Sequence, residues 1–101
     1  MSVLKINKDN MQNEVLNSHK TVLLDFYADW CGPCRMVTPV ISEIAEERPD
    51  IKVGKINVDE QSELAARFDV MSIPTLVVVK EGKIVNKAVG MRPKAQILAM
   101  L

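Results

Sequence analysis

Phe26-Tyr27-Ala28-Asp29-Trp30-Cys31-Gly32-Pro33-Cys34-Arg35 holds both cysteines of the chain and marks the place where its local pattern changes. Before the pair, Val22-Leu23-Leu24-Asp25-Phe26 is apolar at nearly every position, as in a strand covered on both faces. After it, Met36, Val37, Val40, Ile41, Ile44 and Ala45 recur at helical spacing, with Ser42, Glu43, Glu46 and Glu47 on the other side. The cysteines therefore sit where a strand hands over to a helix, with Cys31 at the helix's amino end. Unpaired backbone N–H groups and the positive end of the helix dipole favour a thiolate there. Cys34 is close enough in sequence to close a small disulfide ring. The expected chemistry is one activated thiol with a second waiting beside it.

Three plainer readings of the cysteines compete. A structural zinc site needs four ligands, and two cysteines with His19 cannot complete a Cys/His set within one chain, so no metal is expected. A structural staple is weak, because closing a four-residue loop stabilises by only about 2 kcal/mol against about 3 for fifteen residues. Buried, inert thiols fit poorly with Gly32-Pro33 between them and Arg35 after them.

The pattern Trp30-Cys31-Gly32-Pro33-Cys34, directly after a hydrophobic strand, resembles the active site of the thioredoxin family of protein-disulfide reductases. The resemblance implies that Cys31 is the nucleophile and Cys34 the resolving thiol, cycling between a dithiol and a Cys31–Cys34 disulfide with no bound cofactor. It also implies two kinds of partner: a thioredoxin reductase, NADPH-dependent or ferredoxin-linked, and proteins carrying disulfides. An oxidase or isomerase of the same fold is the rival within redox chemistry. Gly32-Pro33 lacks the histidine that would further stabilise the thiolate, which favours reduction. A binding subunit that docks a larger enzyme around Trp30 and Pro74 is the rival from another class.

At 101 residues and 48% hydrophobic, the chain suits one compact domain, residues 1–101. Thirteen basic and thirteen acidic side chains leave zero net charge, so neither a nucleic-acid nor an anionic-membrane partner is indicated. A monomer is expected. Met1-Ser2-Val3-Leu4-Lys5 does not open an apolar secretory signal, and no stretch approaches a membrane span. A cytoplasmic location is expected, where a C-x-x-C is more often catalytic or metal-binding than a permanent bridge.

Val3–Ile6 reads as a short strand, and Asn7 suits the cap of a helix over about 8–17 with Met11, Val15 and Leu16 on its apolar side. His19 falls in the polar connection 17–20 and is assigned no role. In the strand Thr21–Ala28, Asp25 is the exception. It is either a carboxylate reaching solvent or a backbone N–H, or a buried acid with a raised pKa. The family resemblance favours the second reading and makes Asp25 the group that moves protons for Cys34.

Pro33 suits the first helical position, and Pro39, inside the helix, predicts a bend that the family shares. Ile51–Val58 reads as a strand in which Lys55 is the oddity, explicable as a side chain whose stem is buried and whose ammonium reaches water. The resemblance instead places Lys55 opposite Asp25, tuning its proton release. Glu60–Phe68 suits a helix, and 69–72 a loop into Ile73-Pro74-Thr75. The sequence by itself predicts a trans bond before Pro74, since only about 5–6% of X-Pro bonds in folded proteins are cis. The resemblance implies cis, with Pro74 against the disulfide and the Ile73 backbone free to pair with an extended substrate.

Leu76–Lys80 and Ile84–Val89 read as a hairpin turning at Gly82, and Pro93 opens a last helix apolar at Ile97, Leu98 and Leu101. The order β-α-β-α-β-α-β-β-α predicts an α/β fold of thioredoxin type, a mixed five-stranded sheet with a parallel centre, an antiparallel edge and helices on both faces. Trp30, Gly32, Pro33, Ile73, Pro74, Gly90 and Met91 are the expected substrate surface. Three positions depart from the family pattern: Tyr27 stands where many bacterial members carry Trp, Ser72 where Gly is common, and Met91 where a small residue is usual. Tyr27 keeps an aromatic surface, so little change is expected from it, whereas Met91 bears on partner preference. The terminal helix is also short, stopping at Leu101.

Overall fold

Alternation along one strand sets the layers of the molecule. In the computed structural model, which describes residues 3–101, this strand is β2, Thr21–Tyr27. Successive side chains of a strand point to opposite faces. Val22, Leu24 and Phe26 enter one core, with Ile6, Met11, Val15, Ile56, Leu64 and Phe68, whereas Leu23 enters the other, with Val37, Ile41, Ile44, Val53, Leu76 and Ile97. Asp25 shares the face of Leu23. The strand that was apolar on both sides is thus the middle layer of a three-layer sandwich, and its one acid is carried toward the second core.

The remaining elements are β1 (Val3–Lys5), α1 (Gly32–Glu47), β3 (Ile51–Asn57), α2 (Ser62–Arg67), β4 (Thr75–Lys80), β5 (Lys83–Val89) and α3 (Lys94–Leu98). They form one sheet of order β1-β3-β2-β4-β5, with β1, β3 and β2 parallel and β4 antiparallel to both β2 and β5. The change of direction falls at the central strand, so the expected mixed sheet is parallel up to β2 and antiparallel beyond it. At the β4–β5 turn Glu81 and Gly82 both take positive φ, 49° and 76°, as a tight turn matched to strand twist requires. The reading of Met1-Ser2 as a leaderless start lies outside the described residues.

Two details of the helices differ from the sequence expectation. In place of a regular helix over 8–17 there is a capped turn followed by a wide helical turn at Gln12–Leu16, closed by Asn17 N–H donating to Gln12 O at 2.9 Å. The asparagines are the cause. Asn7 Oδ1 accepts from Asp9 and Asn10 N–H, and the Asn10 side chain bonds Asn7 N–H and Lys5 O, so the first turn is occupied by side-chain contacts. Met11 and Val15 are still buried, as expected. The second difference is Met36, which reads as part of the apolar stripe of α1 but is 63% exposed. The buried stripe is Cys34, Val37, Ile41, Ile44 and Ala45, and Met36 lies about 100° around the helix from Val37.

Candidate functional site

The two cysteines form a disulfide with Cα atoms 5.3 Å apart. Cys31 is extended (φ −87°, ψ 112°) and immediately precedes α1, so it occupies the cap position of that helix. Its Sγ accepts the Cys34 N–H at 3.2 Å, the bond that a serine or aspartate cap makes with its oxygen. Cys31 N–H in turn donates to Ala28 O at 3.2 Å, which fixes the last turn before the helix. Pro33 falls in the first turn of α1, where its missing N–H costs nothing. Ala28, Tyr27, Val58 and Ile73 pack around the pair, leaving 4% of Cys31 and 2% of Cys34 exposed. A partner's sulfur must therefore approach over the rim formed by the flanking side chains.

That rim is apolar. Trp30 is 68% and Met71 90% exposed, and with Val58, Val70, Ser72 and Ile73 they line an open groove of about 390 Å³ that contains no charged side chain. The indole is held by its Nε1–H donating to Asp59 Oδ2 at 2.8 Å. The Ile73–Pro74 bond is cis, as the family resemblance implied. Thr75 Oγ1 donates to Ser72 O at 2.6 Å, and Gly90 N–H to Pro74 O at 2.8 Å, tying the proline segment to the end of β5.

Beneath the pair lies a second space, a cavity of about 510 Å³ whose walls include Asp25, Tyr27, Asp29, Cys34, Arg35, Thr38, Glu46 and Lys55. Asp25 is 3% exposed, and its Oδ1 accepts no hydrogen bond among the described residues. Burial pushes its pKa up to about 7 from the ordinary 3.8, with the Lys55 charge pulling the other way. Asp25 and Lys55 are directly opposite in the β2–β3 register. The Lys55 Nζ lies 5.9 Å from the centre of the Tyr27 ring.

A disulfide at a strand-to-helix junction, a cis-proline loop beside it and a buried acid under it are thus brought together at one end of α1. The thioredoxin family model matches residues 2–101. The chain is 46% identical to a thioredoxin of Pyropia yezoensis, covering all of this chain and 95% of the relative. It is 46% identical to a thioredoxin of Mycobacterium tuberculosis, covering 99% and 87%, and 46% identical to one of Haemophilus influenzae, covering 94% and 90%. The chain belongs to the thioredoxin family. It is a protein-disulfide oxidoreductase whose redox group is the Cys31–Cys34 pair itself.

Most of the thioredoxin residues expected from the sequence fall in this region, in two separate places. Trp30 and Ile73 share the groove, and Ile73 also packs on the cysteines. Asp25, Cys34 and Lys55 share the cavity below. Gly32 and Pro33 are exposed in the first turn of α1, and Gly90 and the exposed Met91 follow β5; none of these four lines the groove. Sequence reasoning missed Met71, Val58, Val70 and Asp59. Met71 carried a signal, an apolar residue in a loop with no element to bury it, next to Ser72-Ile73-Pro74. Asp59 carried none, since its partner Trp30 is 29 positions away. Among the described residues, no group of three or more His, Cys, Asp or Glu side chains is placed to hold a metal ion, and no helix is long and apolar enough to cross a membrane.

Proposed function

We propose that the chain reduces protein disulfides by two successive exchanges at one end of α1. The observation that carries this reading is the asymmetry of the pair: Cys31 caps the helix and receives an N–H bond on its sulfur, while Cys34 lies inside the helix above the cavity of Asp25. In the reduced protein the Cys31 thiolate, favoured by that N–H and the helix end, attacks one sulfur of a substrate disulfide. The substrate S–S bond breaks, one substrate sulfur leaves as a thiolate, and a mixed disulfide with Cys31 forms. Cys34 then gives its proton to Asp25 and attacks the Cys31 sulfur. The second substrate sulfur leaves as a thiolate, and the Cys31–Cys34 disulfide remains, oxidised by the two electrons that the substrate gained.

Asp25 suits the acceptor role because its carboxyl takes and releases a proton near neutral pH, and Lys55 tunes that proton electrostatically. Trp30, Gly32, Pro33, Ile73, Gly90 and Met91 supply the docking surface, whereas Pro74, expected in it, is buried and acts through the backbone it shapes. An extended substrate pairs with the Ile73 backbone before the cis proline, a form of strand addition. The chain acts as a monomeric single domain in the cytoplasm. A thioredoxin reductase returns electrons to it, which makes it an electron carrier between that enzyme and oxidised proteins.

Reduction of insulin disulfides with dithiothreitol, and then with NADPH and candidate reductases, tests the reading. The wild type is expected to accelerate the reaction and Cys31→Ser, still folded, to lose turnover. Equal activity in the two proteins would falsify it, and retained function in a Cys31→Ser/Cys34→Ser double variant would favour a docking role instead.

A further inference from the structure

Two of the neighbours of Asp25 on its own face of the sheet carry polar groups. Tyr27 follows it by two positions along β2, and Lys55 stands opposite it on β3. A buried carboxylate with an ammonium in the next register position would ordinarily close an ion pair. Here the pair is not closed: Asp25 Oδ1 accepts no hydrogen bond among the described residues, and the Lys55 Nζ lies over the Tyr27 ring, 5.9 Å from its centre. An ammonium within about 6 Å of an aromatic face is attracted by the ring's negative face, and the attraction strengthens as the site loses water.

We propose that Tyr27 is a positioning residue for Asp25: its ring holds the Lys55 ammonium away from the carboxylate, so that the acid beneath Cys34 stays unpaired and free to exchange its proton. A carboxylate locked to a cation keeps its charge and is a poor acceptor for the Cys34 proton. An acid whose counter-charge is held nearby but off contact retains the affinity for a proton that the resolving step needs. Other charged and titratable groups face the same cavity. Those from α1 are Cys34, Arg35 and Glu46, beside the hydroxyls of Thr38 and Ser42, and Asp29 comes from the loop after β2. Arg35 is exposed, and its guanidinium donates to Asp29 O at 2.8 Å. Leu76 is the β4 residue in register with Asp25 and carries no charge. The Tyr27 phenol is acted on chiefly by burial and by a hydrogen bond with Asn57, and less by Asp29, Lys5 and Glu60, of which the last two form their own ion pair at 3.4 Å.

The role of Tyr27 rests on Asp25 being the proton acceptor, but the test does not depend on turnover. The Asp25 side-chain carboxyl is followed by carbon-13 NMR titration in the oxidised protein, in the wild type, Tyr27→Phe and Tyr27→Leu, each also combined with Lys55→Met. Tyr27→Leu is expected to lower the Asp25 midpoint by about half a pH unit, the size a partly exposed cation–π contact can supply, because the released ammonium moves to the carboxylate. Tyr27→Phe keeps the ring and is expected to keep the midpoint. In the Lys55→Met background the effect of Tyr27→Leu is expected to disappear, which separates it from water entering a space left by the ring. A shift of equal size with and without Lys55, or an equal shift in Tyr27→Phe and Tyr27→Leu, overturns the proposal. The wild type supplies a check that needs no variant: the Lys55 side-chain protons next to Nζ are expected to be moved upfield by the ring, and their lying at ordinary positions overturns it too. A failure of Asp25→Asn to slow substrate reduction would count against Asp25 as acceptor and leave these NMR outcomes untouched.

Discussion

Cys34 donates its backbone N–H to the sulfur of Cys31 at 3.2 Å, so the second cysteine serves the first before any substrate arrives. Only Cys31 gains an acceptor's stabilisation from this bond, and the two thiols should fail differently when replaced. Cys34→Ser keeps the N–H and therefore the nucleophile. It is expected to form one equivalent of mixed disulfide with a substrate protein and then stop, whereas Cys31→Ser forms none. Mass spectrometry of each variant after mixing with oxidised insulin checks this, and a stable adduct on Cys34 of the Cys31→Ser protein would reverse the assignment.

Gly54 measures how tightly the first core is filled. A Cβ at this position would stand 2.7 Å from Ile6 Cγ1, 3.2 Å from Leu24 Cδ2 and 3.3 Å from Ile6 Cδ1. These are buried side-chain atoms in a packed layer, so they can yield only by leaving their preferred rotamers. Gly54→Ala is expected to destabilise by about 1–3 kcal/mol, read from urea unfolding of the oxidised protein. Activity per folded molecule should be kept, because the strain falls on the face of the sheet opposite Asp25. A variant as stable as the wild type would mean that the backbone of β1 and β3 separates to make room.

The order of elements was legible because hydrophobic spacing switches cleanly at the punctuating residues: alternating or fully apolar runs before Cys31, helical spacing after Pro33, a positive-φ turn at Gly82. Where the sequence misled, the cause was local side-chain chemistry. Asn7 and Asn10 compete for backbone groups and shorten the first helix, and Met36 is apolar without being core. The cysteines and the family pattern around them located the catalytic end of α1. Contacts that depend on the closed fold were not legible, since nothing in a linear pattern says that Asp59 meets Trp30 or that Lys55 lies over Tyr27.

The Trp30–Asp59 bond joins the residue before Cys31 to the loop after β3. With 68% of the side chain exposed, the bond adds little to stability and mainly fixes the direction of the indole at the edge of the groove. Asp59→Ala is expected to change stability by about 1 kcal/mol or less and to raise KM for protein substrates while leaving the rate with a small disulfide unchanged. Parallel assays with insulin and a low-molecular-weight disulfide, together with Trp30 fluorescence anisotropy, check this. An equal loss on both substrates would show that the indole's orientation bears on the sulfur chemistry and not on docking.

Asp25 ties the site to the stability of the whole molecule. Its folded pKa of about 7 lies above the ordinary 3.8, because burial disfavours the charged form more than Lys55 favours it. Between these values the folded state holds a proton that the unfolded chain has released. The resulting stabilisation is fully present below about pH 4 and is lost as pH rises through about 7. The separation corresponds to about 4 kcal/mol as an upper bound, which relaxation of the cavity would reduce. Asp25→Asn is neutral throughout, so it is expected to match the pH dependence of the wild type's other groups without this loss. Urea unfolding of the oxidised proteins should therefore show the two diverging from pH 4 to pH 8, with the variant the more stable at the higher pH. Resolution of the mixed disulfide should be slower in the same variant, because Cys34 has lost its proton acceptor. Stability curves that stay parallel across this range would mean that the Asp25 carboxylate is solvated or paired in solution, and the acid would then be unable to serve Cys34 near neutral pH.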